Sequence, residues 1–189
     1  MSKIAVLLAE GFEEGESLFV IDVLRRAGFQ CDSVSIAGEM VKGSHDIEVK
    51  TDRLLTDAIK DYDMIVLPGG MPGAKNLRDD ERVIDLVQHF DQDPNKFIGA
   101  ICAAPMVLER VGIVKGRTMT SCPGETYHSL LREANYVEDI VAVDHNLITS
   151  RGPASTLPFA YALVDALGGD SATLKEKMFC NLVSESYRA

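Results

Sequence analysis

Short apolar runs alternate with amphipathic stretches along this chain. A short apolar run between polar turn residues is typical of a buried strand, whereas apolar positions three and four apart are typical of a helix with one buried face. The pattern predicts strands at residues 3–9, 30–36, 64–67, 97–101 and 119–121. It predicts helices at residues 16–27, 54–60, 80–90, 105–111, 155–167 and 171–183. This alternation favours an α/β domain in which helices cover both faces of a mostly parallel sheet.

Two further segments have the pattern of antiparallel hairpins. Residues 138–143 and 147–150 flank Asp144, His145 and Asn146, whose residue types suit a turn, so we expect a hairpin at the sheet edge. Residues 40–50 predict a second hairpin. The chain has no internal repeat and no linker-like stretch, which predicts one domain over residues 1–189.

Chemically capable residues follow the predicted strands. In an open α/β sheet the ligand crevice lies beyond the carboxyl ends of the strands, so residues at these ends are expected to share one rim. They are Glu13, Glu14 and Glu16 after the first strand, Gly69 and Gly70 after the third, Cys102 after the fourth and Cys122 after the fifth. The sequence therefore places carboxylates, a glycine pair and thiols around one crevice.

Cys102 lies between a predicted strand and a predicted helix, with the small residues Ala100 and Ala104 two positions away on either side. This spacing is typical of a nucleophile elbow, where only small neighbours fit the crowded turn. The positive end of a helix favours an anion, so we expect this thiol to ionise more readily than a free one. The same position also suits a small buried hydrophobic residue, which is what most free cysteines are.

The neighbouring motifs each have a structural and a functional interpretation. Gly69 and Gly70 suit a cradle of backbone N–H groups for an oxyanion or a thiolate, and they equally suit a plain strand-to-helix turn. Glu16 opens a predicted helix, where a carboxylate is favoured by the dipole, so capping alone would explain it. From the residues alone, both interpretations remain open.

Composition narrows the classes of partner. The net charge of −10 and the lack of a basic patch argue against nucleic acid and anionic membranes. The four cysteines are scattered without metal-ligand spacing, which predicts neither a metal site nor a disulfide framework and favours the reducing cytoplasm. No stretch is long and apolar enough to cross a membrane.

Five motifs, in order along essentially the whole chain, resemble the ThiJ/PfpI family, particularly its parkinsonism-associated deglycase branch. The motifs are Glu13-Glu14-Gly15-Glu16, Val23-Leu24-Arg25-Arg26-Ala27-Gly28, Val66-Leu67-Pro68-Gly69-Gly70, Ala100-Ile101-Cys102-Ala103-Ala104-Pro105 and Thr149-Ser150-Arg151-Gly152-Pro153. The resemblance implies a flavodoxin-like, doubly wound sheet of the class I glutamine amidotransferase type, and a homodimer. It also implies that no cofactor is needed.

By matching motifs, the resemblance implies that Cys102 is the nucleophile and Glu16 the buried acid that contacts it. The glycine pair belongs to the pocket motif, and the amides of Gly70 and Ala103 would line the thiolate pocket. His45 falls where the branch often has an arginine that reaches toward the partner subunit's site, so it would lie at the pocket mouth.

The resemblance implies two alternative functions. One is a glutathione-independent glyoxalase or deglycase, acting on a small aldehyde substrate such as methylglyoxal or on early glycation adducts. A thiolate would attack the aldehyde carbon, and a neighbouring carboxyl would move a proton between the two carbons. The other is an oxidative-stress sensor or chaperone that uses the same cysteine with little catalysis.

The chain departs from the family pattern at Cys122, which stands where the branch commonly has a histidine. The departure argues against a Cys-His dyad and against protease chemistry, which needs an acid for the leaving amine. Cys122 is either a redox partner that forms a disulfide with oxidised Cys102 or a small apolar filler. His128 lies on a predicted helix and is most simply a helix-surface residue.

Overall fold

The computed structural model describes residues 1–186. Its strands are β1 (Lys3–Leu8), β2 (Gln30–Ser35), β3 (Met40–Lys42), β4 (Glu48–Lys50), β5 (Arg53–Leu54), β6 (Met64–Leu67), β7 (Phe97–Ile101), β8 (Thr118–Met119), β9 (Asn135–Tyr136), β10 (Val141–Asp144) and β11 (Leu147–Ser150). Its α-helices are α1 (Glu14–Arg26), α2 (Gly73–Asp79), α3 (Glu81–Asp91), α4 (Pro105–Val111), α5 (Glu125–Leu130), α6 (Thr156–Ala166), α7 (Ser171–Lys177) and α8 (Cys180–Ser186). Short 3₁₀ helices cover Asp57–Asp61 and Pro153–Ser155.

Seven strands form the central sheet, in the order β10-β11-β7-β6-β1-β2-β5. Every neighbouring pair is parallel except β10 and β11. The central strands are apolar throughout because helices cover both of their faces. The expected flavodoxin-like, doubly wound fold of the class I glutamine amidotransferase type is therefore confirmed.

Alternate side chains of β1 divide the core into two layers. Ala5 and Leu7 pack with the apolar faces of α2, α3 and α4, whereas Ile4 and Val6 pack with α1, α6 and α7. This division follows from the two-residue period of a strand. The layers fix β1, β6 and β7 in register, so their carboxyl ends meet at one edge.

Both predicted hairpins are present. β10 and β11 pair antiparallel at the sheet edge, and His145 turns the chain between them with a φ of 53°. β3 and β4 form a separate antiparallel pair in which Met40 lies opposite Lys50.

Two predicted elements are wrong. Residues 54–60 do not form an α-helix: Leu54 ends β5, and the Leu55 N–H donates to the Ser35 carbonyl at 2.7 Å, so the chain continues along the sheet before the 3₁₀ turn. Residues 119–121 do not form a strand of the central sheet, because β8 pairs with β9 instead. The Thr120 N–H donates to the side-chain Oγ1 of Thr149 at 2.9 Å, which replaces a ladder bond.

The predicted helix at residues 171–183 is divided. α7 ends at Lys177, and Phe179, with a φ of 57°, separates it from α8. The sequence does not predict helix α2, and it predicts α5 only as a helix that carries His128, without bounds. Within residues 1–186, no helix is long and apolar enough to cross a bilayer.

Candidate functional site

Cys102 follows the last residue of β7 in the left-handed backbone conformation, with a φ of 61°. Its N–H donates to the Ser150 carbonyl at 3.0 Å, which ties the turn to the end of β11. Ala103 and Ala104 are buried beside it. This sharp turn between strand and helix presents the half-buried thiol at the carboxyl edge of the sheet.

Glu16 is fully buried in the first turn of α1. Its Oε2 accepts the N–H of Gly69 at 2.8 Å. Its Oε1 is buried and makes no well-formed hydrogen bond among the described residues, although the carboxyl group lies within interaction distance of the Cys102 thiol. The helix is capped by Glu13, whose carboxylate accepts the Glu16 N–H at 2.5 Å, so capping does not explain the Glu16 side chain.

Burial and the nearby Cys102 sulfur together raise the pKa of Glu16 to about 9, against the opposing effect of the Gly69 N–H. The carboxyl group is therefore neutral at pH 7. Because Oε2 accepts a hydrogen bond from Gly69, the proton lies on Oε1. An unpaired O–H beside a thiol can donate to a group bound at that sulfur.

The glycine pair allows the close approach of these elements. A Cβ on Gly69 would lie 2.7 Å from both the Cys102 Cβ and the Glu16 Oε2. Gly70 has a φ of 85°, and its Cβ would lie 2.4 Å from the Glu13 nitrogen. Gly69 therefore serves the thiol and carboxyl directly, while Gly70 allows the loop before α1 to pack closely.

The thiols of Cys102 and Cys122 lie close enough to interact, and each shifts the pKa of the other. Their interaction, together with burial, raises the pKa of Cys102, and the same interaction lowers the pKa of Cys122 although burial opposes it. The Ala103 amide favours the Cys102 thiolate, and the Tyr127 hydroxyl favours the Cys122 thiolate. The two thiols therefore titrate as a pair, and neither pKa belongs to one sulfur alone.

This result corrects one expectation from the sequence. Cys102 was expected to ionise more readily than a free thiol because a helix begins beside it, yet its own pKa is raised. The cause is Cys122, since a second thiolate beside the first would be repelled. The raised pKa of Cys102 and the lowered pKa of Cys122 therefore have to be considered together.

Both cysteines line one open pocket of about 610 Å³. Its wall is mostly apolar, with Arg151 as its charged member, and the Arg151 guanidinium donates to the Glu138 carbonyl at 2.6 Å. The remaining lining residues are Pro123, Ile140, Gly152, Pro153, Ala154, Ser155 and Pro158. Such a pocket suits a small, weakly polar molecule whose reactive carbon reaches the sulfur.

His45 does not line this pocket within the single chain. It is exposed between β3 and β4, where its Nδ1 lies 2.9 Å from the Glu14 Oε2. The bond to Glu14 raises the pKa of His45; the bonds from His45 lower the pKa of Glu14 although burial opposes them. Glu13, Glu14 and His45 have possible metal-ligand atoms within 4.8 Å of one another, but capping and the His45 contact already use these groups.

Tyr127 is the site residue that the sequence did not reveal. It lies on the short helix α5, which has no buried residue and therefore no apolar period to signal it. His128, the next residue, packs against the Tyr136 ring at 4.4 Å between centroids and does not line the pocket. Cys31 and Cys180 also lie outside the pocket lining.

The sequence pattern of the DJ-1/PfpI family matches residues 2–166. The chain belongs to this family. The DJ-1/PfpI relative dj-1beta of Drosophila melanogaster is 40% identical over 173 residues, covering 89% of this chain and 91% of the relative. A Schizosaccharomyces pombe relative, named glutathione-independent glyoxalase DJ-1, is 31% identical over 176 residues, covering 87% of this chain and 91% of the relative.

Solved DJ-1 structures have the same fold. The crystal structure of Drosophila melanogaster DJ-1beta superposes with a TM-score of 0.88 at 36% identity, covering 95% of this chain and 98% of that one. The resemblance to the ThiJ/PfpI family is therefore confirmed. As a DJ-1/PfpI member, the chain carries its thiol and buried carboxyl on the two motifs that the resemblance indicated.

Proposed function

We propose that this protein is a cofactor-free, cysteine-dependent glyoxalase or deglycase that acts on 2-oxoaldehydes such as methylglyoxal or on their early glycation adducts. The observation that carries the proposal is the neutral, buried carboxyl of Glu16 beside the Cys102 thiol at an open, mostly apolar pocket. The relative named as a glutathione-independent glyoxalase supports it.

The nucleophile is the Cys102 sulfur. When the pair of thiols has lost one proton, the raised pKa of Cys102 leaves the remaining proton on its sulfur, and transfer of this proton to Cys122 makes Cys102 the thiolate. The Tyr127 hydroxyl and the Ala103 N–H hydrogen bond to the sulfurs of the pair. Cys122 thereby takes over proton storage from the histidine that the branch commonly has.

Glu16 performs the proton transfers. Attack of the thiolate on the aldehyde carbon forms a C–S bond and an oxyanion, which takes the Oε1 proton of Glu16. The carboxylate left behind is a base because of its raised pKa, so it removes the proton on C1 and returns it to C2, while the hydroxyl proton on the C1 oxygen moves to the C2 oxygen. The resulting thioester of lactate is then hydrolysed by water, which releases lactate and regenerates the thiol.

The proposal extends to the assembly and its location. Leu18, Phe19 and Ile47 are exposed by 39%, 49% and 50% on one surface formed by α1 and the β3–β4 hairpin. An apolar patch of this kind suits a homodimer, which would bring His45 toward the partner's pocket. The four free cysteines suit the reducing cytoplasm.

Lactate formation from methylglyoxal without glutathione tests the activity. We expect turnover by the native chain, and its loss in Cys102→Ala and Glu16→Gln, because these substitutions remove the nucleophile and the proton carrier. Cys122→Ala should lower the rate and shift its pH dependence. Cys180→Ala is the matched control, because this half-buried thiol lies outside the pocket and its loss should leave the rate unchanged.

The same assay separates the two functions that the resemblance implied. If the native chain makes no lactate while peroxide still modifies Cys102 selectively, the enzyme proposal is wrong and the redox sensor is favoured. If Glu16→Gln retains full turnover, the assigned proton carrier is wrong.

A further inference from the structure

The position of Cys122 relative to Cys102 favours a second role for the Cys122 thiol, in addition to proton storage. The backbone N–H of Cys122 donates to the backbone carbonyl of Cys102 at 2.9 Å. A carbonyl oxygen lies about 2.4 Å from its own Cα and an amide nitrogen about 1.5 Å from its own, so the two Cα atoms are at most about 6.8 Å apart. Disulfides usually join Cα atoms about 4.4–6.8 Å apart, so this separation is compatible with a bond.

The side chains are also placed for a reaction between them. Both thiols line the same open pocket, and they lie close enough to shift each other's pKa. Cys122 lies in the loop between β8 and α5, outside any regular element, so its side chain can adjust while Cys102 stays on the elbow. When a small oxidant in the pocket reacts with Cys102, the Cys122 sulfur already lies close to the oxidised sulfur.

We propose that Cys102 and Cys122 form a dithiol site that reduces a hydroperoxide and ends as an intrachain disulfide. The Cys102 thiolate attacks the distal peroxide oxygen, the O–O bond breaks, and the leaving oxygen takes a proton and departs as water or an alcohol. Cys102 is then a sulfenic acid. The Cys122 sulfur attacks the Cys102 sulfur, the S–O bond breaks, and water leaves with the remaining proton.

Two groups beside the thiols can supply the protons. The carboxyl group of Glu16 lies beside the Cys102 sulfur, and the Tyr127 hydroxyl lies close enough to Cys122 to shift its pKa. A dithiol reductant would open the disulfide and restore both thiols. The disulfide would also consume the nucleophile of the proposed glyoxalase reaction and switch it off reversibly, a consequence that rests on the proposed function.

Intact-mass analysis after one equivalent of hydrogen peroxide tests the proposal. We expect the native chain to lose two hydrogens, to regain them with dithiothreitol, and to yield a cross-linked peptide that contains Cys102 and Cys122. Cys122→Ser should instead gain oxygens on Cys102. Cys180→Ser is the matched control and should form the same disulfide as the native chain.

Two results would overturn the proposal. One is a native chain that gains two or three oxygens on Cys102 as fast as Cys122→Ser and never loses two hydrogens. The other is a cross-linked peptide that joins Cys102 to Cys31 or Cys180. Because the readout is mass, the outcome stands whether or not the native chain makes lactate; where it does, the disulfide form should make none until it is reduced.

Discussion

Replacing Glu16 with glutamine should make the protein more stable at neutral pH, and increasingly so as the pH rises. The carboxyl has a pKa of about 9 in the folded chain, against an ordinary value of 4.5. Below pH 4.5 it is neutral in both the folded and the unfolded chain. Between the two values the unfolded chain ionises while the folded chain stays protonated, so the stability present at low pH is lost as the pH rises toward 9.

The magnitude follows from the two pKa values. Each pH unit in this window changes the free energy of unfolding by about 1.4 kcal/mol. Between pH 4.5 and pH 7 the native chain therefore loses about 3 kcal/mol that Glu16→Gln does not lose. Glutamine can keep the bond from the Gly69 N–H, so the packing of the site changes little.

Urea unfolding of both chains at several pH values from 5 to 8, with the thiols kept reduced, measures this difference. Glu14→Gln is the matched control in the same helical turn. The pKa of Glu14 is lowered and the pKa of its partner His45 is raised, so both groups stabilise the native chain and Glu14→Gln should be less stable than the native chain from pH 5 to 8, the opposite of Glu16→Gln. A difference between Glu16→Gln and the native chain that does not change from pH 5 to 8 would refute the protonated state of Glu16.

Three further predictions test other parts of the site and core. Gly69→Ala should abolish turnover and the selective reactivity of Cys102 toward iodoacetamide, because the new Cβ would meet both the thiol-bearing carbon and the carboxyl at 2.7 Å; retained reactivity would contradict it. Tyr127→Phe should raise the first apparent pKa of the thiol pair, seen as a shift to higher pH in the alkylation profile, because it removes a hydrogen bond to Cys122. Phe159→Ala should lower the free energy of unfolding by about 3–5 kcal/mol, measured in urea, because this fully buried ring packs on the central sheet.

The strands and the elbow could be predicted because their signals are local. Continuous apolar runs predicted the buried strands β1, β6 and β7, and the small residues around Cys102 predicted the sharp turn. The helix predicted at residues 54–60 is wrong because Leu55 and Ile59 have helical spacing, whereas their burial comes from the extension of the sheet and from a 3₁₀ turn. Tertiary hydrogen bonds decide between a helix and an extended chain at these residues, and a local sequence pattern does not reveal such bonds.

The chemistry of the site was only partly accessible from the sequence. Cys102 and Glu16 lie in motifs that place them at strand and helix ends. The raised pKa of Cys102 depends on a thiol twenty residues away, and Tyr127 reaches that thiol from a helix without a buried face. Contacts between such distant residues arise only when the chain is folded.

The left-handed backbone of Cys102 has a consequence for the evolution of this protein. A non-glycine residue with a φ of 61° is strained by about 1–3 kcal/mol, and glycine would relieve that strain. Selection for stability alone would therefore favour glycine at position 102. The cysteine in this position costs stability relative to glycine, so a Cys102→Gly chain should tolerate destabilising substitutions elsewhere that the native chain does not.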